Sequence, residues 1–289
     1  MNVDVAVVGS PSFDLVFEGL PRLPAAGEEI VGRAFHPAPG STAIQAIGMA
    51  RLGLSVTLVS RRGSDMGGRF LRDILDAEGV AWVGAEVSAT PTTAVLSVAD
   101  GAAMATAWAE GEPTAAEVEA VGASVALLSL GRARLCPPAT PACFVTGAVE
   151  IAAGVHVPDP KPGDAVVVNA DEARALTGVH DPDGAARALA ASGRTAVVTM
   201  STDGAVAADG DRLVHAEAPR MHAGDATGAG DLFVSGFVWA RVQGIELRAT
   251  LAWACLYAAL SVPHPTAFAG ACDLDELMRE GRARGLTPP

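Results

Sequence analysis

Asp231 directly follows Gly228-Ala229-Gly230, and an apolar, helix-compatible run begins at Leu232. The three small residues let their backbone N–H groups come close to a ligand. A helix starting there aims unpaired N–H groups and the positive end of its dipole at that ligand, which makes an anion site. Asp231 then lies in the first turn, beside the anion. A carboxylate next to a phosphate is electrostatically unfavourable unless it has a task, and deprotonating an alcohol that attacks the phosphate is such a task. On these four residues alone, a Gly-rich turn followed by an ordinary first-turn acid reads equally well.

Other polar residues follow strand-like runs. Asp14 lies just past Val3–Val8, where a carboxylate can accept two hydroxyl hydrogen bonds. Asn169 and Glu172 follow Val166–Val168 and are spaced by one helical turn. That puts an amide and a carboxylate on one side, suited to holding Mg²⁺ through water or to plain helix capping by Asn169. Arg132 and Arg134 follow Val125–Leu130 and read as solvated loop arginines, with contact to an anionic substrate as the alternative.

The heptad Asp225-Ala-Thr-Gly-Ala-Gly-Asp231 resembles the C-terminal signature of the ribokinase-like (PfkB) sugar and nucleoside kinases, D-T-x-G-A-G-D. Phe233, Ser235, Gly236 and Phe237 fit its continuation. The resemblance implies that Gly228, Ala229 and Gly230 form the anion hole and that Asp231 is the catalytic base. Gly9-Ser-Pro-Ser-Phe-Asp14 is similar to the family's G-x-x-N-x-D, which gives Asp14 the sugar hydroxyls, although Ser12 replaces the usual Asn. Pro39-Gly40-Ser41-Thr42-Ala43-Ile44-Gln45 stands in place of G-G-x-x-A-N-x. Pro39 replaces a Gly and Ile44 the Asn, so one polar substrate contact is missing. Gly40, Ser41 and Gln45 are the candidate substrate contacts there, Gln45 as a substitute amide or as a surface residue. Ser60-Arg-Arg-Gly-Ser-Asp65 looks like S-R-x-G-D-D, with Asp65 either functional or a helix cap.

Asn169-Ala-Asp-Glu172 resembles N-x-x-E, which implies the magnesium role. Thr199-Met-Ser-Thr-Asp-Gly204 resembles the T-x-G-x-x-G nucleotide loop, with Ser201 where a Gly is usual, so Thr199, Ser201 and Gly204, with Thr227, Gly228 and Gly230, are assigned to ATP. Asp225 and Thr227 are candidates for one side of a monovalent cation site. Pro263–Gly270 matches the family's adenine-closing segment only loosely, and His264 reads as a loop residue. The implied cofactors are ATP and Mg²⁺, with K⁺ as an addition.

The 289 residues fit one large α/β domain with a core built mainly from Ala, Val and Leu. A net charge of −13 argues against nucleic acid as a partner. The single lysine, Lys161, removes the Walker A loop and the protein-kinase strand lysine as explanations of nucleotide chemistry. Cys136, Cys143, Cys255 and Cys272 show no metal-binding spacing and read as reduced thiols. Met1 leads into Val3–Val8 without a basic flank, and Leu251–Val262 is too short to span a bilayer. These point to a cytoplasmic protein with no membrane partner.

The elements that must position the site follow from periodicity. Val3–Val8 and Ser55–Arg61 read as strands, Ser41 as the cap of a helix to Leu52, and Phe70–Leu75 as the apolar face of the next helix. Phe13–Ala38, with Leu15–Phe17 and Ile30–Val31 as its strand pieces, is expected to form a small β lid with Trp82–Val87, Thr92–Ala99 and Ala103–Ala109. The lid is therefore discontinuous, from about 13–38 and 82–109. From Pro113 strand and helix alternate: Val125–Leu130, a helix near Ala142–Ala153, Val155–Val157, Ala165–Val168, helices at Glu172–Thr177 and Gly184–Ser192, then Ala196–Met200. A hairpin near Gly204–His215 and helices from Gly228, Glu246 and Leu274 finish the chain. Alternation implies a mostly parallel sheet covered on both faces, a three-layer α/β/α sandwich with ligands at the strands' carboxyl ends. The lid's uncovered face invites a homodimer.

The reading is an ATP-dependent kinase that phosphorylates a hydroxyl of a sugar or sugar derivative. A nucleoside kinase (adenosine- or pseudouridine-like acceptor) and a non-catalytic sugar-binding regulator of the same fold are the alternatives. A dinucleotide oxidoreductase is disfavoured, because Gly228-Ala-Gly230 is followed by Phe233 rather than a third Gly and lies late in the chain.

Overall fold

The computed structural model describes residues 3–98, 101–109, 111–221 and 226–288. The chain opens with β1 (Val5–Val8), then β2 (Pro11–Glu18), β3 (Ala34–Ser41), α1 (Thr42–Arg51), β4 (Val56–Val59), β5 (Arg62–Gly63) and α2 (Met66–Ala77). Four short strands follow: β6 (Ala81–Val83), β7 (Glu86–Val87), β8 (Thr92–Val98) and β9 (Gly101–Ala107). The alternating region comprises α3 (Ala115–Glu119), β10 (Val125–Ser129), β11 (Ala142–Val145), α4 (Ala148–Ala152), β12 (Ala165–Asn169), α5 (Ala170–Thr177), α6 (Pro182–Ala190) and β13 (Thr195–Thr199). A hairpin, β14 (Ala205–Asp209) and β15 (Arg212–Ala216), precedes α7 (Ala229–Val242), α8 (Leu247–Ser261), α9 (Ala267–Gly270) and α10 (Leu274–Ala283).

Among the described residues the main sheet has nine strands in the order β15-β14-β13-β12-β11-β10-β1-β4-β6. It is parallel from β13 to β6, and β14 and β15 join antiparallel at one edge. Successive side chains of β1 feed opposite cores. Val5 and Val7 pack with Ile47, Leu71, Phe237, Trp253 and Leu277 of α1, α2, α7, α8 and α10. Ala6 and Val8 pack with Val118, Ala173 and Leu189 of α3, α5 and α6. The three-layer α/β/α sandwich follows from that period of two, because both faces of the sheet are apolar and both must be covered.

A separate four-stranded sheet, β3-β2-β8-β9, stands outside the sandwich as a lid. Phe13 of β2 meets Phe70 of α2 with ring centroids 4.9 Å apart, which seats the lid on the body. The Asp65 carboxylate caps α2 through the Gly68 N–H (2.9 Å) and also accepts from the Thr90 N–H and hydroxyl, just before β8. The capping reading of Asp65 is therefore the geometry found, extended to a tie between body and lid.

Several sequence expectations are corrected. Trp82–Val87 is not a lid strand: β6 takes the outer edge of the main sheet beside β4, and β7 pairs with β5. Ile30–Val31 is not a strand; the partner of β2 is β3, which runs through Pro37 and Pro39 because an edge strand can lose N–H donors toward solvent. Ala142–Val145 is a buried strand and only Ala148–Ala152 is helical, since a short apolar run has no period that separates the two. Val155–Val157 has no strand structure and packs as a loop against the core shared with α5 and α6. Ser41 precedes α1, but its side chain makes no capping hydrogen bond.

Candidate active site

The first turn of α7 opens onto a cleft of about 720 Å³ at the carboxyl ends of the central strands. Gly228 is the N-cap residue in the left-handed region, with φ 80°, and no side chain caps the helix. Glycine is required there twice over: by that φ, and because a Cβ would lie 2.6 Å from the Ala267 Cβ and 3.3 Å from Ile44 Cδ1. Ile44, which stands where an Asn was expected, thus packs beneath the turn. The Ala229 N–H closes a turn onto the Ala226 carbonyl at 3.0 Å. Gly230 and Asp231 both line the cleft, and a Cβ on Gly230 would meet no protein atom within 4 Å. The uncapped N–H groups at this helix start are what an anion would find.

Asp231 lies at the cleft wall and is half-buried. Burial pushes its carboxyl up to about 7; the Gln45 hydrogen bond opposes that shift and the nearby Asp14 charge adds to it. Gln45 Nε2 donates to Asp231 Oδ1 at 2.8 Å. Gln45 is only 5% exposed, so it is no surface residue.

On the side of β2 and β3, Asp14 accepts from the Ser12 hydroxyl at 2.6 Å, so the serine that replaces the usual Asn steadies this carboxylate. Burial raises the Asp14 pKa, against hydrogen bonds from Ser12 and Thr93. Gly40 is needed for close approach: any Cβ there would overlap the Asp14 carboxylate. Ser41 lines the cleft with φ 53°, a left-handed conformation that strains a non-glycine residue at the start of α1. Gln45 also lines the cleft, whereas Asp14 and Gly40 stand behind its wall.

On the opposite side, Asn169 and Glu172 line the cleft and form a complete capping box. The Glu172 N–H donates to Asn169 Oδ1 and the Asn169 N–H to Glu172 Oε2, both at 2.9 Å. Burial raises the Glu172 pKa, partly offset by the Asn169 N–H. Its second oxygen is not taken up by the box. Among the described residues no three His, Cys, Asp or Glu side chains converge on a metal position. A single carboxylate oxygen of Glu172 free of the box, beside Asn169 at the cleft, is a donor set compatible with Mg²⁺ held largely by water and phosphate. Thr199 lines the cleft at the end of β13. Ser201 carries φ 54°, which explains why a glycine is usual at that place, and neither it nor Gly204 reaches the cleft wall. Thr227 directly precedes Gly228, and Asp225 lies outside the described residues.

Sequence reasoning missed part of the wall. Arg132 is not a solvated loop arginine: its side chain is 19% exposed and lines the cleft, whereas Arg134 is open to solvent. The Arg132 guanidinium donates to Ser10 Oγ (3.0 Å) and Ser129 Oγ (3.2 Å) and pairs with Glu112 (3.3 Å). Glu150 on α4 accepts from Ser129 (2.6 Å) and Thr146 (3.2 Å). Trp108, 62% exposed just beyond β9, forms the rim. Ser10 and Ser129 could have been found as polar residues at the ends of central strands. Glu150 was concealed by reading Ala142–Ala153 as one helix.

Residues 163–271 match the pfkB family carbohydrate kinase model. The chain is similar to ribokinase of Haemophilus influenzae, 27% identical over 285 residues, covering 91% of this chain and 93% of that protein. A stronger but local likeness to ribokinase of Bacillus subtilis, 41% over 78 residues, spans 27% of this chain and 26% of that one. Arabidopsis thaliana ribokinase, solved with ribose and ATP, superposes with a TM-score of 0.78 at 24% identity over 96% of this chain and 98% of that one. An Escherichia coli structure with ATP and Mg²⁺ superposes at 0.81 and 18% identity, over 97% and 99%. The fold is thus ribokinase-like, residues 163–271 carry the pfkB family carbohydrate kinase match, and over most of its length the chain is similar to ribokinases.

Proposed function

We propose that the protein transfers the γ-phosphate of ATP to a hydroxyl of a sugar or sugar derivative, with Asp231 as general base. The observation that carries this is the Asp231 carboxyl, which sits in the first turn of an uncapped helix and whose pKa is raised to about 7 by burial. A base with that proton affinity can take a hydroxyl proton at neutral pH and still release it afterwards. As the hydroxyl oxygen bonds to the γ-phosphorus, its proton passes to Asp231, and the bond to the bridging oxygen breaks to leave ADP. Gly228, Ala229 and Gly230 form the wall against which charge develops on the transferred group. Bound Mg²⁺ would neutralise phosphate charge in this acidic cleft, with Asn169 and Glu172 holding it through water. Thr199, Ser201, Gly204 and Thr227 are assigned to the nucleotide, and Asp14, Gly40, Ser41 and Gln45 to the acceptor.

The relatives named ribokinase, and the ribose seen in one neighbour, support a free sugar. A nucleoside acceptor is favoured by one feature, the exposed Trp108 face at the cleft rim, on which a base could stack. An ADP-release assay over ribose, deoxyribose, hexoses, sugar phosphates, adenosine and pseudouridine decides between them. It should be run in K⁺ and in Na⁺ salts, because Asp225 and Thr227 are proposed as part of a K⁺ site. We expect turnover on at least one free sugar. Turnover confined to nucleosides selects the second reading, and none on any alcohol selects a sugar-binding regulator.

A further inference from the structure

Two buried polar atoms on residues of the cleft wall near Asp231 have no hydrogen-bond partner among the described residues: Gln45 Oε1 and Thr42 Oγ1. Buried amides in a purely structural role normally have both ends paired, because an orphaned acceptor is costly. Gln45 instead commits its donor to Asp231 and leaves its buried acceptor without a partner among the described residues. The arrangement is stiff. Ser235 Oγ lies 3.1 Å from the Gln45 carbonyl and 2.9 Å from that of Asp231, joining α1 to α7. Gly48 permits that closeness, since a Cβ there would come within 2.8 Å of Ser235 Oγ.

We infer that Gln45 is a positioning residue: its amide N–H holds one oxygen of Asp231, leaves the other free for the acceptor hydroxyl, and keeps the carboxylate form populated. This rests on the reading of Asp231 as the base. Of the groups facing that carboxyl, Gln45 on α1 favours the charged form, while Asp14 on β2 disfavours it, as does burial. Arg132, Glu150 and Glu172 face the cleft from its other walls. With the amide removed, Asp231 would be held mainly protonated at neutral pH and could not act as a base.

The test is a carbon-13 carboxyl titration of the unliganded protein labelled at aspartate, with the Asp231 signal assigned by its loss in Asp231→Asn. The wild-type inflection should fall at about 7. In Gln45→Met it should move up by about one pH unit, the loss of one hydrogen bond to the charged form. In Gln45→Glu, which adds a like charge, it should move further. Gln45→Leu serves if the Met variant does not fold. An Asp231 signal unmoved by these substitutions overturns the inference, even where Asp231→Asn has abolished turnover. Turnover that survives Asp231→Asn overturns the base reading itself, so the two failures are distinguishable.

Discussion

Asp231 is expensive to keep where it is, and that expense is measurable apart from catalysis. Its carboxyl has an ordinary value of 3.8 and is raised to about 7 in the fold, so the folded protein holds a proton that the unfolded chain releases. Stability therefore falls as pH rises from about 4 to about 7 and stays lower above that window. Asp231→Asn should raise Tm at pH 8 and raise it much less at pH 5, inside that window, as thermal scans at the two pH values would show. The same substitution keeps size and hydrogen bonding but removes the basic oxygen, so kcat should drop roughly 10²–10⁴-fold. ATP affinity, followed by calorimetry, should hold or improve as a negative charge leaves the phosphate site. In the wild type, kcat/KM should rise with pH through about 7 as Asp231 of the free enzyme ionises. Turnover within a few-fold of wild type in the Asn variant would remove Asp231 as the base.

At the scale of elements, the site is a meeting of helix starts: α1 and α7 begin without side-chain caps at the cleft, and α5 begins there with a complete one. The capped start is the informative exception. Glu172→Gln retains an acceptor for the Asn169 N–H, so the capping box survives and stability should change by no more than about 0.5 kcal/mol. The charge is lost, so the Mg²⁺ concentration for half-maximal activity should rise several-fold. An unchanged magnesium dependence at unchanged Tm would leave Asn169 and Glu172 as caps alone.

For the whole molecule, the lid raises the question of assembly. Register places Leu15, Phe17, Phe35 and Leu96 on one face, with the Phe17 and Phe35 rings exposed and their centroids 5.3 Å apart. The outer strand β9, rich in Ala and Gly, leaves an edge open to pairing. A second copy of this chain is the proposed occupant. Light scattering at micromolar concentration should give a dimer, and Phe35→Glu should give a monomer with the same Tm for the body; a monomeric wild type would refute it. Ion pairs of Arg61 with Glu117 and of Arg132 with Glu112 tie the segment leaving the lid back to the body. No helix among the described residues is long and apolar enough to cross a membrane.

The place of Asp231 in a first helical turn, the turn at Gly228 and the pairing of Asn169 with Glu172 were legible in the sequence because each is local. Small residues, a helix start and an i, i+3 spacing are set within one turn of chain. The alternation of strand and helix likewise announced a covered parallel sheet, since both faces of each central strand had to be apolar. What could not be read was long-range or too short to have a period. Trp82 went to the main sheet because an edge beside β4 was open, and Ala142–Val145 became a strand because β10 and β12 flank it. The Gln45 bond to Asp231 spans 186 residues, and Arg132 reaches Ser10 across 122. Such contacts come from packing α1 on α7 and β10 on β1, and the pKa of Asp231 depends on the burial that this packing creates. The sequence by itself thus determined which residues could do the chemistry. Only the tertiary structure decided how they are paired, which of them reach the cleft, and what proton affinity Asp231 has.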